Sequence, residues 1–479
     1  MKRIIMWIVI LGIAGGLTAC GDEGSGRDAE KKGNPVSEAA VQKSGSGQRD
    51  AKNDTERKTR KLHMLLDPQA QESIRCINDN GYYYISSDAK ELKDGHYGKH
   101  LMYMDFATQR EIYLCSASGC RHNTEECTAV LSDRDFPEMI QVFCQGDSLY
   151  VLSTGYDKSG STEMNLGGES GEREPEIHPA VLYCMGLDGS GRRKVYTFEE
   201  GMTVEDTVWE SEGGLFFITK KTGSRKLGKN QGRYTYPLER KIVKLDTASW
   251  KLDPVYPFEL SDKAGEWKVI GCHKDSLVLS ALCFDHALTD EEMLADDRET
   301  NRNILKKSKN QIALLNLNTR SLKVVYERFN KSGKLSDQIY GDGFLYLTEE
   351  DDPKIRQMDL DTGKTSTLAR LKNKSFIGIY KDMICCSDME ATEDQTLYFV
   401  NRKNGEISHC GLVTKTLGWM LDIKGETKDK FLVVYDYDAT PGIDDGYEIS
   451  RYYHALISKE DLYQGKENYL PIKMTGKGE

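Results

Sequence analysis

Apolar and polar positions recur along most of the chain in a two-part pattern. The first part is a short apolar run, a turn built on Gly or Asp, and a Leu-Tyr type strand. Gln141 to Leu152, with Gly146-Asp147 at its turn, is the clearest copy. Similar copies run from Ile74 to Ile85, Val208 to Ile218, Val269 to Leu279, Ile339 to Leu347 and Phe376 to Cys385, with a weaker one from Met420 to Val434. The second part is an alternating strand, a polar turn and another strand, as in Ile355 to Lys364 around Asp361-Thr362-Gly363. Asp supplies a side-chain acceptor at such a turn and Gly tolerates positive φ. Comparable segments are Leu101 to Tyr113, Val181 to Val195, Lys241 to Val255, Ile312 to Val325 and Leu397 to Ile407.

Each pair of parts makes four antiparallel strands. Six or seven such units, spaced at about 40 residues or more, match the blade interval of β-propellers, in which each sheet buries its faces against its neighbours. The expected fold is therefore all-β: a propeller over residues 61–479 with seven four-stranded blades, or six if Ile74 to Tyr113 pairs with the C-terminal strands to close the ring. Two β-sandwiches or a solenoid would share the alternation, and the repeat favours the propeller. Insertions lengthen the spacing at Asp157 to Pro179 and Ala287 to Asn310. In the second of these, Thr289 and Glu292 form a capping box for a short helix, with Met293, Leu294, Ile304 and Leu305 as its apolar side. Such a helix lies on one blade or covers the channel mouth.

Residues 1–60 are of another kind. Lys2 and Arg3 precede the apolar run Ile4 to Leu17, the charged and hydrophobic regions of an export signal. The run ends in Leu17-Thr18-Ala19-Cys20, which resembles the lipobox of bacterial lipoproteins. That resemblance implies cleavage after residue 19, a diacylglyceryl thioether on Cys20, and a lipid-anchored protein at the outer face of the cytoplasmic membrane. Residues 21–60 have almost no large apolar side chain, so burial cannot offset the entropy of ordering them. They read as a tether with a root-mean-square reach of about 35 Å.

The formal net charge of -11, with acidic and basic residues interleaved, provides no basic stripe and excludes nucleic acid as an expected partner. The 25 Tyr against 13 Phe suit half-buried strands with one wet end. Of 12 cysteines, the removal of Cys20 leaves an odd number, which cannot all pair. Cys76, Cys144, Cys184, Cys272, Cys283, Cys385, Cys386 and Cys410 fall inside predicted strands, where a free thiol packs as a small hydrophobe. Free thiols outside the membrane would suit an anaerobic habitat.

The other three stand together with a histidine in the loop Cys115 to Cys127. Tyr103-Met104-Asp105-Phe106-Ala107-Thr108, followed by Leu114-Cys115 and Cys120-Arg121-His122-Asn123, resembles a segment of propeller-like lipoproteins of gut Firmicutes. The resemblance covers this segment well and the rest of the body loosely, and it implies no particular activity. Cys115, Cys120, His122 and Cys127 make a complete Cys₃His set for structural zinc. A disulfide with one thiol left over, or an inert loop capping the blade, fits the same residues. All three roles are structural.

Nucleophile-elbow, phosphate-loop and zinc-protease helix motifs are absent from the sequence. Asp436, Asp438, Asp444 and Asp445, and the run Glu349 to Asp352, could form an acidic channel mouth, though such runs are more often solvated loops. The leading expectation is a propeller that binds a ligand or protein partner at the cell envelope without catalysis. An enzyme acting on extracellular glycans or peptides is the alternative, and a structural part of an envelope complex the third.

Overall fold

The computed structural model describes residues 61–475, apart from 67–75, 87–88, 138, 158–176, 227–232, 262, 264, 294, 296, 334–336, 350–351, 373, 389–395 and 443–446. Seven antiparallel sheets follow one another along the chain and form the blades of a β-propeller. Blades 1 to 7 span residues 76–113, 140–197, 202–257, 268–329, 338–370, 374–410 and 422–471. Ile74 to Tyr113 thus contributes a blade of its own, and the ring has seven rather than six. Blade 1 gains Lys90–Glu91 and Val130–Ser132 on its long third strand, and blade 3 gains His63–Leu66 on its first. First strands of successive blades lie against one another, as in blades 4, 5 and 6, so these strands line the axis.

Period-two alternation makes the ring possible, because neighbouring residues of a strand serve opposite seams. In blade 4 Leu279 packs with Trp209, Ile218 and Ile242 of blade 3, while Val278 packs with Tyr340, Leu345 and Met358 of blade 5. Likewise Phe216 faces blade 4 and Phe217 faces blade 2. A slip of one residue would turn each of these sets to the wrong neighbour. Every seam has such an apolar layer, including the closing one, where Tyr82, Met104 and Phe106 of blade 1 meet Leu432 and Leu456 of blade 7.

The chain beyond the last strand fastens that closing seam. Arg110 and Lys473 form a parallel bridge, Lys473 N–H donates to Gln109 O over 2.8 Å, and Thr475 N–H donates to Glu111 Oε2 over 2.8 Å. The Tyr84 hydroxyl donates to the other oxygen of the same carboxylate.

Turns between third and fourth strands share a device. Asp105, Asp246, Asn316, Asp359 and Asn401 each accept from backbone N–H groups two or three residues on. The residue four places on has positive φ: Gln109, Trp250, Arg320, Gly363 and Gly405. First-to-second turns lie at the same end of the ring as these, and second-to-third connections open at the other. The insertion after blade 4's second strand forms two helices, Asp290–Met293 and Arg298–Lys306. The capping box is present, with Glu292 N–H donating to Thr289 Oγ1 (3.2 Å) and Thr289 N–H to Glu292 Oε2 (3.0 Å). Ile304 and Met293 rest, with Leu288 of the same insertion, on Phe284 of blade 4 and Tyr236 of blade 3. The insertion is therefore seated on these two blades.

Candidate functional site

The loop between the outer strand of blade 1 and the first strand of blade 2 draws Cys115, Cys120, His122 and Cys127 together. One ligand atom from each lies within 4.8 Å of all the others. Among the described residues this is the one group of three or more His, Cys, Asp or Glu side chains with that closeness. A tetrahedron with metal–sulfur bonds of about 2.3 Å has edges of roughly 3.8 Å, so closure on an ion needs shifts of an ångström or less. The donor set can hold a metal.

The loop reaches this geometry without a Cys-x-x-Cys knuckle. Two tight turns replace it: Cys120 N–H donates to Ala117 O (3.4 Å) and Cys127 N–H to Thr124 O (3.1 Å). Gly119 and His122 both have positive φ, 71° and 53°. For His122 this is a costly conformation that surrounding contacts must hold. His100 Nε2 meets the His122 carbonyl at 2.7 Å, and the His122 ring stacks on Tyr113 with centroids 4.5 Å apart. The other face of the ring's reach is set by Cys127, whose Sγ lies 3.3 Å from His122 Nδ1.

Burial alone would raise the Cys115 thiol, yet hydrogen bonds from the Ala117 N–H and the Cys127, Thr128 and Cys120 side chains bring it below the ordinary thiol range. Cys127 is pushed up to about 12 by burial, with Cys120 and Cys115 adding to the shift. Burial lowers His122, keeping its imidazole neutral and able to ligate.

Arg192, in the third-to-fourth turn of blade 2, holds the loop against the neighbouring blade. Its guanidinium donates to the Thr128, Val130 and Glu125 carbonyls. The sequence offers no signal for this role beyond the Arg itself, because its acceptors are backbone atoms more than sixty residues away. Close by, Leu114 packs with Val142, Val151 and Met185 of blade 2.

The same two blades are joined a second time at the axis, where Cys76 and Cys144 form a disulfide between their first strands. This corrects the expectation that both are free thiols packed as hydrophobes. The two strands are neighbours in the ring although 68 residues separate the cysteines, and adjacency of first strands brings the side chains together. Cys184, Cys272, Cys283, Cys385, Cys386 and Cys410 are thiols outside any disulfide.

The acidic candidates behave as parts of blade 7 and blade 5. Asp436 accepts from Thr416 N–H at 2.8 Å, and Asp438 from the Tyr453 hydroxyl at 2.9 Å. Both lie on the second strand, Lys430–Pro441, and not on the strand that lines the axis. Asp352 is balanced by Lys354 and Arg356. Asp444, Asp445, Glu350 and Asp351 lie outside the described residues, as do Cys20 and the whole of 1–60. Around Asp436 and Asp438 gather aromatic side chains that share the open end of blade 7. Trp419 lies 5.7 Å from Tyr437 and 6.0 Å from Tyr447 between ring centroids, and Tyr447 is 49% exposed. A separate cleft of about 180 Å³ opens in the seam between blades 3 and 4, lined by Arg240, Tyr256, Leu260, Glu266 and Trp267.

No protein-family model and no curated protein matches the chain. Solved structures with a similar fold include an oligogalacturonate lyase in complex with manganese, at 10% identity and a TM-score of 0.35, covering 68% of this chain and 82% of that one. An acylaminoacyl peptidase from Pyrococcus horikoshii matches at 12% identity and a TM-score of 0.45 over 86% of this chain and 52% of its own. TolB from Acinetobacter baumannii matches at 12% identity and a TM-score of 0.29, covering 81% and 79%. This chain spans about half the length of the peptidase.

Proposed function

We propose that the protein is a lipid-anchored, extracytoplasmic propeller that binds a ligand or partner at the cell envelope through the open end of its blades, and that zinc on Cys115, Cys120, His122 and Cys127 braces the ring. The observation that carries the binding reading is the placement of the connections. The longest of them, 114–139, 154–180 and 285–307, join fourth to first or second to third strands and so all leave from one end, while the other end has short turns apart from 459–469 in blade 7. Long connections on a rigid scaffold are where recognition is placed. At that end blade 7 presents Tyr447 beside Trp419, amphipathic rings that suit a partly wet contact.

The cluster's proposed role is structural. Its four protein donors fill a zinc ion's tetrahedron and leave no open position for a substrate, and Arg192 ties the loop to the next blade. The lipid reading is supported by Lys2, Arg3, the apolar run and Leu17-Thr18-Ala19-Cys20.

An array of envelope polymers and surface proteins, probed with the soluble body, tests the binding reading. A saturable hit that weakens at least tenfold with Tyr447→Ala supports it. The absence of any hit, or one unchanged by substitutions at the open end, counts against it.

A further inference from the structure

The strand His63–Leu66 stands outside the fourfold repeat. It adds to the axial edge of blade 3, antiparallel to Met202–Ser211, with His63 opposite Glu210 and Leu66 opposite Val208. It also touches the first strands of blades 2 and 4. Leu66 packs with Phe143 and Val208, while Leu62 and Met64 pack with Trp209, Val269 and Leu277. Met64 Sδ lies 3.1 Å from Cys272 Sγ on the first strand of blade 4.

Direction follows from topology. First strands run from the end with the long connections to the end with the short turns, so an antiparallel strand beside them runs the other way. Leu62 N–H donates to Lys274 O over 3.0 Å, and Lys274 sits in the first-to-second turn of blade 4. The strand therefore starts at the short-turn end, and residue 61 leads out of the ring there.

We propose that this strand plugs the axis from the short-turn end, so that the tether leaves through that end and the long connections face away from the membrane. The orientation rests on the lipid-tether reading; the plug does not.

Two measurements separate the claims. In the full chain, Met64→Cys treated with a mild oxidant should form a bridge between the introduced thiol and Cys272, seen by peptide mass analysis at least tenfold faster than with Lys58→Cys. No bridge, or no preference over Lys58→Cys, overturns the plug. In protoplasts, an epitope is inserted either at Asn404, in a short turn, or within 391–395, between the second and third strands of the same blade, and the tether is shortened by deleting 25–55. Antibody labelling at Asn404 should fall at least tenfold while labelling within 391–395 holds; the reverse, or an equal loss at both, overturns the orientation. If Cys20→Ala leaves the protein cell-bound and the labelling unchanged, the lipid reading fails while the oxidation result stands.

Discussion

Positive φ at Arg320 is a cost the turn bears without evident return. Its side chain is exposed, yet the backbone sits at φ 57°, where Gly363 and Gly405 stand in blades 5 and 6. An L-residue there costs about 1 kcal/mol relative to glycine. Arg320→Gly should therefore stabilise the protein by about 1 kcal/mol in urea unfolding, with binding unchanged. A fall in stability would show that Arg320 makes a contact worth more than the strain. Trp250, at the same place in blade 3, packs against the blade core and should not tolerate that exchange.

The cysteine loop should bind metal. Protein purified without oxygen should hold about one zinc per chain. Cys127→Ser should lose the metal and lower the unfolding temperature, and chelation of the wild type should reproduce that drop. A metal-free wild type of unchanged stability would leave the loop as a cap. The four candidate donors were legible in the sequence because chemistry-bearing residues lie within thirteen positions of one another. The Cys76–Cys144 pair was not, because what joins those residues is the ring and not the local chain.

At the scale of elements the closing seam carries a titratable latch. Glu111 is 6% exposed and burial pushes it up to about 7, against the opposing pull of the Thr475 N–H and Arg451. A carboxyl raised in the folded state binds protons more tightly there than in the unfolded chain. Its contribution is thus complete below the ordinary carboxyl value of 4.5 and is lost as pH rises through about 7. The loss is on the order of 3 kcal/mol at full ionisation. Glu111→Gln should flatten that part of the profile, so that wild type minus variant stability falls between pH 5 and 8. Taking the difference cancels other groups, notably His454, which burial lowers to about 3 and which therefore destabilises on acidification instead. A difference constant with pH would show that Glu111 is charged throughout.

Elements were otherwise the most readable level. The strand-turn-strand copies located all seven blades, because period two and the Asp or Asn acceptor at third-to-fourth turns are both local signals. The capping box at Thr289 and Glu292 was equally local and formed as expected. His63–Leu66 escaped notice because four residues show no repeat and their partners come from three different blades.

For the whole molecule, seven mutually supporting seams imply that damage to one should loosen the ring as a unit. Phe217 is fully buried between blades 2 and 3. Phe217→Ala should cost about 3–5 kcal/mol, and fluorescence and circular dichroism should report one coincident transition. Separated transitions would show blades unfolding independently. Among the described residues no helix is long and apolar enough to cross a membrane. The lipid attachment proposed for this ring is tested directly by metabolic labelling with a fatty acid. Wild-type protein should take up the label and enter the detergent phase on partition, whereas Cys20→Ala should do neither. Equal behaviour of the two, with the label absent from both, would contradict it.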